Sequence, residues 1–140
     1  MNELGANTSK KNEKYESIVQ AAFETFMEKG FHNTKMEEIA HKAGTGKGTI
    51  YEYFSSKKEL FCAMVKNIMT WYCESIETAI TSGRDFKGKL DNMMKLHIEF
   101  TLQAKNLIKL MTHNFVHISP ELNRWMMDAR NKILNMVEEV

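Results

Sequence analysis

The sequence predicts an all-α protein: an N-terminal unit of three helices, followed by a bundle of longer ones. Three observations carry this. Apolar residues recur at steps of three and four through most of the chain, and no stretch alternates with a period of two. Only one proline and seven glycines interrupt the pattern. Those few breakers, with Ser, Thr or Asp standing before apolar runs, punctuate the chain as helix starts and stops.

At 140 residues, one compact domain or a small domain joined to a larger one is the expectation. A chain 43% hydrophobic and 26% charged has material for a core and is not a disordered tail. The net charge is only +1, so any argument for nucleic acid must rest on where charges are placed. No apolar run approaches the roughly 20 residues that span a bilayer, and the start lacks a signal-peptide core. A cytoplasmic protein without a membrane partner is expected. Cys62 and Cys73 fall on one predicted helix, about 16 Å apart at the standard rise. A disulfide needs Cα atoms within about 7 Å, so reduced, partly buried thiols are expected.

Residues 1–12 (MNELGANTSKKN) are polar and aperiodic. They read as a mobile arm carrying Lys10 and Lys11, with solvated charge as its default role. The first helix is expected from about Glu13 to Lys29. Ile18, Ala21, Ala22, Thr25 and Phe26 form its inward stripe, Phe23 and Met27 widen it, and Gly30 ends it. Phe31 can fold back as the apolar contact of that glycine-terminated end.

Thr34-Lys35-Met36-Glu37 then reads as a capping box, with the Thr34 hydroxyl accepting from the Glu37 amide. A helix of about two turns follows, from Lys35 to Lys42, with Met36, Ile39, Ala40 and Ala43 on one side. It stops at Gly44, suited to a left-handed exit. A second short helix, from about Lys47 to Tyr53, has Ile50 and Phe54 as inward residues. Two short helices joined by a glycine-containing turn make a helix-turn-helix, a unit that lays its second helix in the major groove of DNA. Ser56-Lys57-Lys58-Glu59 repeats the capping device and opens a long helix.

That fourth helix should run from about Lys57 to Ile80, with Gly83 as its exit. Leu60, Met64, Ile68, Tyr72, Ile76 and Ala79 mark one face, and Phe61, Val65, Met69 and Trp71 a second. A helix apolar on two faces is packed on both, which makes it a mechanical link between two halves. A fifth helix from about Asp85 to Ala104 has Phe86, Leu90, Met93, Met94, His97, Ile98 and Leu102 as its inward set. A sixth opens at Lys105 or Asn106, carries Leu107, Ile108, Leu110, Met111 and Phe115, and ends near His117. Ser119-Pro120-Glu121 is a strong start for a seventh, with Leu122, Trp125, Met126, Ala129, Ile133, Leu134 and Val137. The domain boundaries expected are 1–12 for the arm, 13–55 for the helix-turn-helix and 56–140 for the helical remainder.

The run AGTGKGTIYEYFSSKKEL resembles the signature of the TetR family of bacterial transcriptional repressors. The matching residues are Ala43, Gly44, Lys47, Gly48, Thr49, Ile50, Tyr51, Tyr53, Phe54, Lys57 and Leu60. The likeness extends upstream to Phe26-Met27-Glu28-Lys29-Gly30-Phe31. Two positions depart from the family: Thr45 stands where an aliphatic residue is usual, and Gly46 where serine is common. Gly46 then has no hydroxyl for a phosphate, and Thr45 becomes an alternative cap. The resemblance implies double-stranded operator DNA as partner, a small apolar or amphipathic effector, and a homodimer in the full-length form.

For a helix-turn-helix, contacts divide into phosphate-positioning and base-reading ones. Lys47, Gly48 and Thr49 occupy the exposed start of the second helix. Lys47 can donate to guanine O6 or N7, and Thr49 can meet the thymine methyl. Gly48 lets the backbone come close. The hydroxyls of Tyr51 and Tyr53 suit phosphate oxygens, a role the resemblance also implies. Lys57, with Thr34 and the Lys35 amide, is expected on phosphates at helix starts. For each of these the plain alternative is a solvated surface residue.

In the second half, Met93, Met94, Met111, Met126 and Met127 join Trp71, Tyr72, Phe115 and Trp125. Methionine packs adaptably and can line a permissive apolar pocket, although an ordinary helical core uses the same residues. By resemblance, such a pocket would hold the effector, with His97 beside it. His113 and His117 are four apart, but no acid or thiol stands near them in sequence. Hydrogen-bonding or exposed histidines are expected, with neither metal nor cofactor.

No phosphate-cradling loop and no activated Ser, Cys or acid motif is present, so an enzyme is not expected. The expectation is a TetR-like regulator, a repressor rather than an activator, that binds a palindromic operator as a two-fold dimer and is released by an effector. A helical scaffold without DNA affinity is the alternative. Salt-dependent retention on heparin or duplex DNA, lost on substitution of Lys47 and Lys57, separates them. The chain also stops at Val140 while its last helix is still periodic. Family members continue with two further helices, so a partial copy of the architecture is expected, with an apolar patch left open along the fifth and seventh helices.

Overall fold

The computed structural model describes residues 2–107, 109 and 119–140, with side chains from residue 8 onward. Six α-helices and no strand occur among them: α1 (Asn2–Lys29), α2 (Met36–Lys42), α3 (Lys47–Tyr53), α4 (Lys57–Ser82), α5 (Phe86–Gln103) and α6 (Pro120–Glu138). The chain divides into two compact units, Met1–Met64 and Val65–Val140.

In the first unit the stripe on α1 does what its spacing dictates. Ile18, Val19, Ala21, Ala22 and Phe26 are buried, with Met36, Ile39 and Ala40 of α2, Ile50 of α3, and Phe54. Ala43 is only half-buried. The unit does not close at residue 55. Leu60, Phe61 and Met64 of α4 are fully buried, and the Phe61 ring meets Phe26 at 5.3 Å and Phe31 at 5.2 Å between centroids, both edge-on. Phe31 also stacks on Phe26, at 5.7 Å, closing the end of α1 as its position after Gly30 predicts. Gly30 and Gly44 have φ of 78° and 66°, the left-handed exits that only glycine adopts without strain.

The helix starts correct the sequence reading in detail. Residues 2–12, read as a mobile arm, continue α1. They contain no proline, a helix already nucleated by its apolar stripe extends cheaply, and Ser9 bonds to Glu13 one turn on at 3.1 Å. At α2 the cap is Lys35, not Thr34, and the Glu38 carboxylate, not that of Glu37, accepts from the Lys35 amide at 3.0 Å. Thr34 is drawn inside instead, 1% exposed. At α3 the cap is Gly46, so Thr45 does not serve. At α4 the Ser56 hydroxyl accepts from the Glu59 amide at 3.1 Å as expected, while the Glu59 carboxylate takes the amide and hydroxyl of Ser55.

In the second unit Val65, Tyr72, Cys73 and Ile76 of α4 are buried, with Ala104, Leu107 and Leu122. Neither Cys62 nor Cys73 is joined in a disulfide. Asp85 caps α5 by accepting from the Gly88 amide at 2.8 Å. Ser119 caps α6 by accepting from the Leu122 amide at 3.2 Å, with Pro120 in the first turn. The inward set assigned to α5 is only partly met: no residue of that helix is buried, although Met93, Met94 and His97 line a cavity. Phe86, Leu90, Met94, Ile98 and Leu102 are exposed, as are Met127, Leu134 and Val137 of α6. The open apolar faces expected on the fifth and seventh helices are therefore present, and α6 is that seventh helix. Of the sixth expected helix, residues 105–107 and 109 are helical and the remainder lies outside the described residues. Met111, His113, Phe115 and His117 lie outside the described residues. No helix among the described residues is long and apolar enough to cross a membrane.

Candidate nucleic-acid interface and effector cavity

α2, the turn through Gly44 and α3 form the first candidate site. Lys47 opens α3 with its side chain 62% exposed, and its Nζ lies 2.5 Å from Oε1 of Glu37 on α2. The pair agrees from both sides: the lysine, through its hydrogen bond, holds the Glu37 carboxyl below its ordinary range, and the carboxylate raises the lysine. Gly48 is exposed, with open space where a side chain would stand. Thr49 is half-buried. Tyr51, one turn after Lys47 and therefore beside it, is exposed, and Tyr53 is half-buried. This leaves Lys47, Gly48, Thr49 and Tyr51 accessible on one short helix.

Three of the expected phosphate contacts have other employment. The Thr34 hydroxyl donates to the carbonyl of Gly30 at 2.7 Å and lies 3.4 Å from that of Thr25, satisfying the end of α1. The Lys35 amide is taken by Glu38, although its side chain remains exposed. Lys57 turns back: its Nζ donates to the carbonyl of Thr34 at 2.9 Å and of His32 at 3.4 Å, and stands 4.7 Å from the centre of the Phe31 ring. Lys57 is thus a tether across the α1–α2 loop. Sequence spacing alone gave no sign that Glu37 would be the partner of Lys47.

The second candidate site is a cavity of about 530 Å³ among the later turns of α4, α5 and α6. Of the expected lining, Tyr72, Met93, Met94, His97 and Met126 face it. Trp71 does not; it is 53% exposed and lies near Phe100. Trp125 lines a smaller cavity with Cys73 and Lys132, and Lys66 stands over its ring at 5.9 Å. The residues not foreseen for the cavity include Met69 and Ile76, Asn123 and Arg130, and Ile133, Leu134 and Val137. The helical period had marked several of these as apolar, but period alone does not separate a cavity wall from a core. The walls are mainly methionine and aliphatic. Polar groups are few: the Tyr72 hydroxyl and His97 Nδ1 lie 2.6 Å apart, with Asn123 and Arg130 from α6. Burial raises the Tyr72 phenol, and its ring stacks on Phe100 at 4.1 Å.

Residues 18–64 match the profile of the bacterial regulatory proteins of the tetR family. This chain belongs to the TetR family. It is 34% identical over 112 residues to the uncharacterized HTH-type transcriptional regulator YvdT of Bacillus subtilis, covering 80% of this chain and 57% of that protein. It is 32% identical over 124 residues to the fatty acid metabolism regulator protein of the same organism, covering 88% and 60%. The crystal structure of the transcriptional regulator FadR from Bacillus subtilis in complex with stearoyl-CoA superposes with a TM-score of 0.68 at 28% identity, covering 87% of this chain and 66% of that one. The chain therefore spans about six-tenths of the length of these curated relatives. The TetR-like, all-α architecture of a helix-turn-helix followed by a helical domain is the shared feature.

Proposed function

We propose that this TetR-family chain is the DNA-reading and ligand-sensing part of a cytoplasmic transcriptional regulator that binds operator DNA and is released by an amphipathic effector. The observation that carries the reading is α2–Gly44–α3, which leaves Lys47, Gly48, Thr49 and Tyr51 accessible on the second helix of a helix-turn-helix. Lys47 and Thr49 read base edges, and Tyr51 with Lys35 positions the backbone. A two-fold homodimer would set two such helices about 34–36 Å apart on a palindromic site. Repression is the sign that follows if the ligand lowers DNA affinity.

The effector site is the cavity lined by Tyr72, Met93, His97 and Met126. Its volume falls in the usual range for small-molecule pockets, and its adaptable methionine walls suit an apolar chain. The relatives fit the same chemistry, one being a fatty acid metabolism regulator and the other a regulator in complex with stearoyl-CoA. A long-chain acyl ligand is therefore the effector class. Helix α4 carries the signal, since Phe61 and Met64 belong to the first core and Tyr72 and Ile76 to the second.

The test is salt-dependent binding of duplex DNA, with and without stearoyl-CoA. Lys47→Ala should cost about 1–3 kcal/mol on the preferred sequence if the contact is bidentate, and stearoyl-CoA should weaken the wild-type complex. A protein that shows no salt-sensitive affinity for duplex DNA would be the helical scaffold instead.

A further inference from the structure

We propose that Glu37 sets an affinity threshold for α3: by pairing with Lys47 it lowers binding to every DNA sequence, so that only a site offering Lys47 base acceptors repays the broken pair and is held. The inference rests on the reading of α3 as the base-reading helix.

The geometry is an ion pair of 2.5 Å between two side chains, each more than half exposed. Such a pair in water is weak, so it holds Lys47 without locking it. Its larger effect is on charge. Residues 1–64 contain nine lysines, no arginine, nine glutamates and no aspartate, so with histidines neutral the side chains of the first unit sum to zero. Further glutamates occupy further lysines: Glu38 holds Lys29 at 2.7 Å, and Glu24 holds Lys42 at 3.2 Å. Lys57 is turned onto backbone carbonyls.

Binding to arbitrary DNA is driven almost wholly by cations displacing counterions from phosphates. A unit built this way has little of that drive. When Lys47 leaves Glu37 for a phosphate, one anionic acceptor replaces another, and the released carboxylate stands close to a polyanion. When Lys47 reaches into the major groove at a guanine, it meets two acceptors, O6 and N7. The cost of freeing Lys47 falls on every sequence, and the compensation comes only at the correct base pair.

The 140-residue chain, with Glu37→Gln, Lys47→Gln and the double variant, tests this by fluorescence anisotropy across a salt series. The duplexes are a mixed-sequence one and the tightest one recovered by wild-type protein from a randomised pool. Glutamine keeps the shape of glutamate, and circular dichroism checks that each variant is folded. Glu37→Gln should tighten binding to the mixed duplex by about two- to five-fold, the worth of an exposed pair. The slope of log affinity against log salt should steepen by up to ~0.9, one phosphate contact. The selected duplex should tighten by at least as much, since leaving Glu37 costs Lys47 the same there. In the Lys47→Gln background the same change should gain less than it does with Lys47 present. An unchanged affinity for the mixed duplex, a selected duplex that gains nothing, or an undiminished gain without Lys47 would each overturn the proposal. Wild-type protein that binds neither duplex would show instead that the DNA reading has failed, and the inference with it.

Discussion

Replacing Thr34 by valine separates a fold role from a DNA role at the start of α2. The side chain is 1% exposed. Its hydroxyl donates to the Gly30 carbonyl at 2.7 Å, with the Thr25 carbonyl at 3.4 Å as a weak second acceptor. Valine preserves the shape and removes the donor. The hydrogen bond itself is worth about 1 kcal/mol net, and a buried carbonyl left without its donor raises the cost to about 1–3 kcal/mol. Only part of that range applies, since the Gly30 contact is part-buried. With a urea dependence of about 1–3 kcal/mol per molar, the unfolding midpoint should fall by roughly 1 M, read by far-ultraviolet circular dichroism. Affinity of the folded variant for duplex DNA should match the wild type. Undiminished stability together with weakened, less salt-sensitive DNA binding would refute the reasoning and return the hydroxyl to a phosphate.

Two glycines should respond in opposite ways. Gly44→Ala keeps free space but forces alanine to φ near 66°, costing about 1–2 kcal/mol in urea unfolding, whereas Gly48→Ala inside α3 should stabilise by about 0.5–1 kcal/mol while weakening DNA binding. Acid should loosen the first unit. Hydrogen bonds from Gln20, Lys47, Lys29 and Ser55 depress the carboxyls of Glu24, Glu37, Glu38 and Glu59 respectively below the ordinary 4.5. Depressed carboxyls contribute stability that is present above the unfolded value and lost as pH falls through the folded ones. Thermal melts should therefore decline below about pH 4.5, and Glu38→Gln should flatten that decline. In the cavity, Met126→Trp should occupy space needed by an acyl chain and cut stearoyl-CoA affinity roughly tenfold, the effect of a clash of about 1.4 kcal/mol. Calorimetry reads the ligand, and ligand-free DNA binding should not change.

Periodicity and punctuation located the described helices, though not the extension of α1 through residues 2–12. Gly30, Gly44 and the Ser119-Pro120 start stand where the sequence placed them, because each depends only on local backbone chemistry. The stripe Ile18–Ala22–Phe26 is legible for the same reason. What escaped was partner choice. Thr34 and Glu37 have the spacing of a capping box, yet the helix starts one residue later and pairs Lys35 with Glu38. The shift follows from burial of Thr34 against the end of α1, a contact between residues that spacing does not encode. Lys57 reads as a free cation and is instead spent on the Thr34 carbonyl. α5 shows the converse: its apolar period is real, but period says only that a face is apolar, not that anything covers it. The cavity was half legible because its methionines are conspicuous, whereas Asn123 and Arg130 carry no pattern at all.

The five thioethers of Met69, Met93, Met94, Met126 and Met127 share one cavity wall, and this has a chemical consequence. Peroxide transfers a single oxygen atom to a thioether, leaving water and a polar, chiral sulfoxide. Met94 and Met127 are about half exposed, while Met36 and Met64 in the first core are shielded. Ageing of a preparation in air should therefore be visible first as protein heavier by successive oxygen atoms, with apolar-ligand binding fading while the DNA-reading core stays intact. Methionine sulfoxide reductases reverse that chemistry, so this methionine wall is also where the molecule keeps a record of oxidant exposure.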